Sequence, residues 1–537
     1  MEPMAARRPR RAASRKVVKA AAMAGAMAAA AVAGAACGGP RPDAGETIVF
    51  ASSADATALD PHNTTDTQSD QIIMMVYETL IRFDEQMRFQ PGLAESWSVD
   101  ASGRTWTFRL RAGVRFHDGA PFDAEAVRLN FARVLDPAQG HRRRALFAAI
   151  ERVEVVDPLT VRIVTAYPFG AFEPTMAHVS AAIVSPKAIA RFGKELGYSA
   201  EASAGTGPYR VVRWKKDLEV VLERYDDYWG PKGRTRSIVY RPIPEAASRV
   251  IALESGDVHA IDRIPPADVR RLEARRDVVV LKRPSIGAQQ FRFHCKRKPF
   301  DDPRVRRAVS LAIDRRTIIE RLLPGQAIAS TGPLTRMIRG RADLGEIPYD
   351  PETARQLLAE AGYPNGFRTT ITTTPRYVMG VELAEAVAAQ LRKVGIVASI
   401  DVLEWGVIRQ FWSGIRPEQN PHEIFIMGAG ASSADADWGL RPIFRSHPTN
   451  ENNYGFYENA EFDDLVDRAM REIDAERRNA LYRRAQEIVY LEDPGAIWLF
   501  DNYHIVAVRG SVKGVTTSPL GVTTFEAAEV VADPVQR

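Results

Sequence analysis

The sequence predicts an α/β protein built as one continuous globular body. Short apolar, β-branched runs such as Thr47-Ile48-Val49-Phe50, Val153 to Val156, Thr160-Val161-Arg162-Ile163-Val164 and Val278-Val279-Val280-Leu281 alternate with helices whose ends are written in the sequence. The 37 glycines and 34 prolines are spread as turn punctuation, and no fixed-period repeat, coiled coil or low-complexity tract follows the N-terminal segment. At 537 residues and 45% hydrophobic content the chain can bury a large core. Length alone suggests about three domains, a count that large two-lobed proteins break.

The first segment is an address. Residues 1–36 hold Arg7, Arg8, Arg10, Arg11, Arg15, Lys16 and Lys19 against Glu2, a net of +6 within a chain of +5, so the remainder stands at −1. The basic balance is therefore an export feature and does not point to nucleic acid. An uncharged Ala/Met/Val/Gly run from Ala20 to Ala36 leads to Cys37-Gly38-Gly39-Pro40, the layout of a secretory signal with a small-residue cleavage site. A membrane anchor is the competing reading, but Ala and Gly carry little transfer energy, and the Gly/Pro-rich residues 37–45 read as a tether. Cys37 is the lipidation candidate. Gly34 stands where the lipoprotein pattern usually has Leu, so a cut by ordinary signal peptidase after Ala35 or Ala36 stays open beside it, and the Arg-Arg pairs lack the apolar residues that twin-arginine export expects. With Cys37 acylated, Cys295 has no partner for an intramolecular disulfide, and stability rests on the core.

The densest signal is the stretch Leu93 to Phe131. Thr105 to Leu110 alternates apolar Trp106, Phe108 and Leu110 with polar neighbours, which predicts a half-buried strand entered through a Ser102-Gly103 turn. Phe116-His117-Asp118-Gly119 is a second turn, and Asp123 can cap a helix whose Val127, Phe131 and Val134 share one side. Further along, Asp302-Pro303 starts a helix striped by Val305, Val309 and Ala312. Asp350-Pro351 starts another that Gly362 stops, and Glu382 to Lys393 forms a third ending at Gly395. None of these elements carries chemistry.

The string from Leu93 to Phe131 resembles the hallmark segment of the peptide-type extracellular solute-binding proteins that feed ABC importers. Gly205-Thr206-Gly207-Pro208-Tyr209 and the run Lys298 to Arg306 are similar to two further hallmarks. The resemblance covers about Thr47 to Val530 and implies a two-lobed periplasmic-binding-protein fold, class II type. Its first lobe spans 46–286 with an extra subdomain of about 78–204, its second lobe spans 287–498, and 499–537 returns to the first. Two crossing strands, Gly287 to Cys295 and Ile497 to Asn502, would form the hinge. Ser433 to Phe444 and Asn453 to Tyr457 look most like the glutathione-binding members. Dipeptide and oligopeptide binders place an Asp where Ser432 stands and a Trp where Ala429 stands; the glutathione type also lacks that Asp, which ranks it ahead.

The implied ligand-binding residues are Ser52, Ser53 and Asp55 after the first strand, Arg376 and Tyr377 after Thr372 to Pro375, and Ser432, Ser433 and Asp435. This mixed inventory suits a zwitterionic guest. A guanidinium at Arg376 can grip a carboxylate through two parallel hydrogen bonds, though a solvated surface arginine has the same sequence signature. Asp435 and Asp437 could hold an ammonium, and Asp437 reads better as the cap of a helix starting near Trp438. Of Gln289 and Gln290 on the hinge strand, alternation turns one away from the cleft. Trp97, Trp106 and Trp214 read as core. Adjacent His294 and Cys295 point to opposite faces and have no accompanying ligand cluster, so no metal site is expected; relatives tend to carry Asn at the first position.

No Gly-x-Ser-x-Gly, His-Glu-x-x-His, Walker or dinucleotide pattern occurs, so neither a catalytic residue nor a cofactor is assigned. The expected function is capture of glutathione or a short peptide and delivery to an ABC permease in the inner membrane, by an exported monomer whose only membrane attachment is the lipid at Cys37. A metal-chelate or haem carrier of the same family and a secreted hydrolase are the alternatives.

Overall fold

The strand Val278–Phe293 organises the molecule. It runs antiparallel to a second long strand, Ala496–Arg509, inside one 11-stranded mixed sheet. The computed structural model describes residues 46–412, 414–449 and 452–531, so the signal, the tether and Cys37 lie outside the described residues. Register between the long strands holds from Val278↔Arg509 to Pro284↔Tyr503, breaks, and resumes at Ala288↔Asp501. Pro284 has no N–H to give the ladder, and Gly287 lacks the side chain that would stiffen it, which accounts for the break falling here. The run Val278 to Leu281 and the expected crossing from Gly287 therefore belong to a single strand.

Each long strand serves two half-sheets. On one side of the break lie Thr47–Ser52, Ser237–Pro242, Glu219–Arg224, Tyr209–Lys215 and Ala260–Asp262; on the other lie Ile424–Gly430, Arg368–Thr373, Val397–Val402 and Ala327–Ala329. These are the two lobes. Thr47–Ser52 is parallel to Ala260–Asp262, which is antiparallel to Ala496–Arg509, so the first strand points along Val278–Phe293 and ends just short of the break. Ile424–Gly430 runs against Val278–Phe293 with Gly430 opposite Gly287, and Arg368–Thr373 is parallel to it. The carboxyl ends of all three strands thus converge on the break from opposite lobes, the place where open α/β sheets take ligands.

The extra subdomain is a four-stranded sheet, in the order Ala94–Val99, Thr105–Leu110, Thr160–Thr165, Ile150–Asp157. Trp106, Phe108 and Leu110 are buried as the alternation requires, with Trp106 stacked on Phe172 at 4.5 Å. Asp123 caps Ala124–Leu135, its Oδ1 accepting from Ala126 N–H at 2.9 Å, and Val127, Phe131 and Val134 face the core. The run Val153 to Val156 differs from its apolar appearance: it lies on the edge strand, where Val155 is 42% and Val156 45% exposed. Asp302 and Asp350 cap Pro303–Leu311 and Pro351–Glu360, and Gly362 past the second helix sits at φ +93°, which suits a residue without Cβ. The third helix, Gly380–Arg392, starts ahead of Glu382.

Helix Thr67–Val76 carries a pH-sensitive group. Asp66 caps it through Ser69 N–H at 2.9 Å, while Asp70 in its first turn has a buried Oδ1 without a hydrogen-bond partner. Burial raises the Asp70 carboxyl to about 7, with Arg143 opposing the rise and Asp66 adding to it. The folded value lies above the unfolded one of about 3.9, so the native state keeps a proton that the unfolded chain has released. Stability from this group is complete below about pH 4 and is lost as pH rises through about 7. Asp70→Asn should flatten that slope in chemical unfolding followed from pH 4.5 to 8; a variant with the parent's slope would contradict the assignment.

Candidate functional site

The first-lobe rim is formed by the loop after Thr47–Ser52. Ser52 donates to Ala54 O at 2.6 Å, and Ser53 Oγ accepts from Gln68 Nε2 at 3.1 Å. Asp55 is committed elsewhere. Its Oδ2 accepts from Asp217 N at 2.9 Å and Trp214 Nε1 at 3.2 Å and pairs with Lys216 Nζ at 3.3 Å, while Oδ1 takes Ala56 N at 2.8 Å. With its side chain only 4% exposed, Asp55 fastens the loop to the turn between Tyr209–Lys215 and Glu219–Arg224. Trp214 is thereby a half-buried hydrogen-bond donor, as is Trp97, whose Nε1 donates to Glu173 at 2.7 Å.

The second-lobe rim holds an aromatic shelf that sequence reading did not find. Exposed Arg376 lies over Trp405, its guanidinium carbon 4.4 Å from the ring centroid. Tyr377 meets Trp405 edge-on at 5.9 Å, Trp405 meets Trp412 at 4.3 Å, and Trp412 stacks on Tyr454 at 5.0 Å. The Tyr377 hydroxyl donates to Met427 Sδ at 3.9 Å, and a Cβ on Gly428 would come within 3.0 Å of the Tyr377 ring, so the loop after Arg368–Thr373 lies flat against Ile424–Gly430. The five aromatic and thioether groups come from separate loops and strand ends, so no periodicity marks them; the Glu404-Trp405 pair just past the strand Val397–Val402 is the one sequence hint. Two residues past Ile424–Gly430, the hydroxyl of Ser432 is buried without a hydrogen-bond partner.

Beneath the shelf the hinge strand carries charge. Gln289 Nε2 donates to Met427 O at 2.9 Å, and Gln290, with its amide oxygen turned to the guanidinium, accepts from Arg292 Nε at 3.1 Å and Nη2 at 3.0 Å. Both glutamines are buried. Arg292, 2% exposed, is pushed down to about 10 by burial, with Tyr454 and Tyr377 opposing. It lies 4.8 Å over Phe444. His294, also lowered by burial, gives its Nε2–H to Pro417 O at 3.0 Å, the donor role an Asn amide could fill. Cys295 is buried, its thiol raised to about 11. Among the described residues no group of three or more His, Cys, Asp or Glu could hold a metal ion.

Residues 88–451 match the model of the bacterial extracellular solute-binding proteins, family 5 Middle. The chain is 34% identical over 454 residues to the glutathione-binding protein GsiB of Escherichia coli (strain K12), covering 84% of this chain and 88% of that one. It also superposes, at a TM-score of 0.77 and 30% identity, on the periplasmic binding protein DppA from Helicobacter pylori in complex with the peptide STSA, covering 90% of this chain and 98% of the other. The chain belongs to the family 5 extracellular solute-binding proteins. A dipeptide-binding protein from Pseudoalteromonas sp. SM9913 in complex with Met-Leu gives the same TM-score of 0.77 at 25% identity, over 90% of this chain and all of that one (100%). The two-lobed class II expectation is therefore met, and the relatives are binding proteins rather than enzymes. Membership in an extracellular family places the site of action outside the cytoplasm, and no described helix is long and apolar enough to cross a membrane.

In this family 5 member the second lobe also meets the extra subdomain. Gly170 N–H donates to Met470 O at 2.9 Å, and Arg471 lies 5.5 Å over Tyr167. Ser433 lines a small cavity of about 90 Å³ at this contact, with Ala145 and Tyr167 on one side and Trp438 and Arg441 on the other. Asp435 does not reach it. That carboxylate is 0% exposed, caps Ala436–Phe444 through Asp437 N–H at 2.9 Å, and takes Arg478 Nη1 at 2.9 Å and Nη2 at 2.5 Å. Asp435, not Asp437, is the cap, and the helix begins ahead of Trp438. Asp437 instead holds Arg441 in a fork at 2.7 and 2.8 Å. Of the expected site residues, then, Arg376 and Tyr377 lie on the aromatic shelf, Ser432 keeps a buried hydroxyl without a hydrogen-bond partner, Ser52 and Ser53 are bonded within the first-lobe loops, Ser433 lines the small cavity, and Asp55 and Asp435 are engaged inside the protein.

Proposed function

We propose that this chain captures glutathione or a short peptide in the cleft at the hinge and hands it intact to an ABC permease in the inner membrane. The observation that carries the reading is an exposed guanidinium held on an aromatic shelf, next to a loop whose nearest aspartate is committed to an internal ion pair. Such a rim grips carboxylates, and Asp435, held by Arg478, is not free to take an α-ammonium. Glutathione carries two carboxylates and one ammonium, and the similarity to a glutathione-binding protein supports the same choice. Ser52, Ser53 and Ser432 supply neutral hydrogen bonds around it, while Ser433 lies at the contact with the extra subdomain. Contacts from both lobes exist together only when the hinge is closed, so the solute shifts the population toward the closed form by its differential affinity. A micromolar dissociation constant corresponds to about 8 kcal/mol, within reach of a few enclosed charged hydrogen bonds after ordering costs.

In this reading the lobes divide at 46–286 and 287–498, with 499–537 returning to the first. The mature chain is a monomer that starts at Cys37, acylated and tethered to the outer face of the membrane. Calorimetric titration with reduced and oxidised glutathione, dipeptides and tetrapeptides tests the solute. Saturable binding of glutathione or short peptides, recovered unchanged, is expected; a response to long peptides alone, or consumption of the solute, would overturn the proposal.

A further inference from the structure

The first lobe carries a second, half-enclosed cavity, of about 350 Å³, between helix Thr67–Val76, the hairpin of Ile81–Phe83 and Phe89–Pro91, and the C-terminal segment 516–526. None of the cleft candidates lines it. Its size falls within the range of small-molecule sites. Its wall holds five charged side chains, of which Asp84 pairs with Arg88 and Glu85 with Arg283; the other three differ in how far they are satisfied. Glu78 is saturated: Tyr228 O–H donates at 2.8 Å, Trp229 Nε1–H at 2.8 Å and Thr206 O–H at 2.9 Å. Glu526 and Arg82 make no side-chain hydrogen bond or ion pair among the described residues. They nevertheless sense one another, because burial raises the Glu526 carboxyl and the Arg82 charge partly offsets the rise. An anion and a cation thus border one half-enclosed space without touching, each still reaching solvent at its mouth. Met74, Phe83, Met87 and Leu520 supply apolar wall.

We propose that this cavity is a second binding site, for a small zwitterion of the α-amino-acid class with an apolar side chain. The ligand's carboxylate pairs with Arg82, its ammonium pairs with Glu526, and its side chain packs among Met74, Phe83, Met87 and Leu520. One molecule carrying both charges satisfies both wall groups, which neither an anion nor a cation alone would do. All the residues that line it belong to the first-lobe part of the chain, and its occupant is distinct from the solute assigned to the hinge.

L-Methionine is the probe, titrated calorimetrically into the whole protein, with its amide and its N-acetyl derivative as single-charge controls. The expected result is one methionine per chain, at least tenfold weaker binding of either control, and at least a tenfold loss in Glu526→Gln and in Arg82→Gln, both retaining the parent's melting temperature and glutathione affinity. Crystals soaked in L-selenomethionine should show an anomalous selenium peak beside Met74 and Met87. Absence of methionine binding at millimolar concentration, a selenium peak in the hinge cleft, or binding that Arg376→Ala abolishes while Arg82→Gln and Glu526→Gln retain it would each overturn the proposal.

Discussion

Asp435→Asn is expected to lower the unfolding free energy by about 3–5 kcal/mol, the cost of leaving one member of a buried ion pair without its partner. The Asp435 side chain is 0% exposed and that of Arg478 9%, and the two share both N–H···O contacts of a fork. Asn preserves the shape and can still accept from Asp437 N–H, so the helix cap survives while the charge opposite Arg478 is lost. Burial alone would lower the Arg478 guanidinium; Asp435 is the largest of the influences that raise it instead. Tyr482 and the neighbouring Asp437–Arg441 fork adjoin the pair, and a Cβ on Gly170 would strike Glu472 O and Arg478, so any rearrangement is felt where the extra subdomain meets the second lobe. Urea unfolding measures the loss. A variant that kept its stability but lost solute affinity would return Asp435 to the binding rim.

Arg376→Ala has the opposite signature. The residue is exposed and its guanidinium makes no ion pair among the described residues, so its removal should leave stability within about 0.5 kcal/mol of the parent. Affinity for carboxylate-bearing solutes should fall by about ten- to a hundredfold, since charged hydrogen bonds contribute about 1.5–3 kcal/mol. Solutes whose carboxylates are amidated should lose little. Trp405→Ala should give part of the same loss, because the shelf fixes where the guanidinium sits and Arg on an exposed ring gains only about 0.5–1 kcal/mol. Calorimetry with glutathione and its amides checks the selectivity, and an affinity unchanged in Arg376→Ala would make the residue an ordinary surface arginine.

The scaffold was readable in the sequence wherever a local rule decides the structure. Alternation placed Trp106, Phe108 and Leu110 inside, and a carboxylate three positions ahead of a free N–H marked the caps at Asp123 and Asp350. The same local rule erred where two candidates competed: Asp435 precedes the helix and Asp437 lies in its first turn, where it forks Arg441 one turn on while Asp435 caps and takes the distant Arg478. The run Val153 to Val156 forms a strand as expected, but on the edge of its sheet, where a register shift between Val155 and Asp157 leaves both Val155 and Val156 exposed. The long strand was hidden by its own Pro284 and Gly287, which read as punctuation but mark the hinge within it. The aromatic shelf was unreadable for a different reason. Residues 377, 405, 412, 427 and 454 meet only because parallel strand ends converge, and nothing in their sequence spacing encodes that.

The account rests on a hinged receptor that closes on its solute at the register break between Val278–Phe293 and Ala496–Arg509. Small-angle X-ray scattering during titration with glutathione, a dipeptide and a tetrapeptide tests this most directly. A saturable decrease in radius of gyration with at least one of these solutes, reversed when the solute is dialysed away unchanged, is the predicted result; a scattering profile that stays constant across the whole panel at saturating concentration would contradict it.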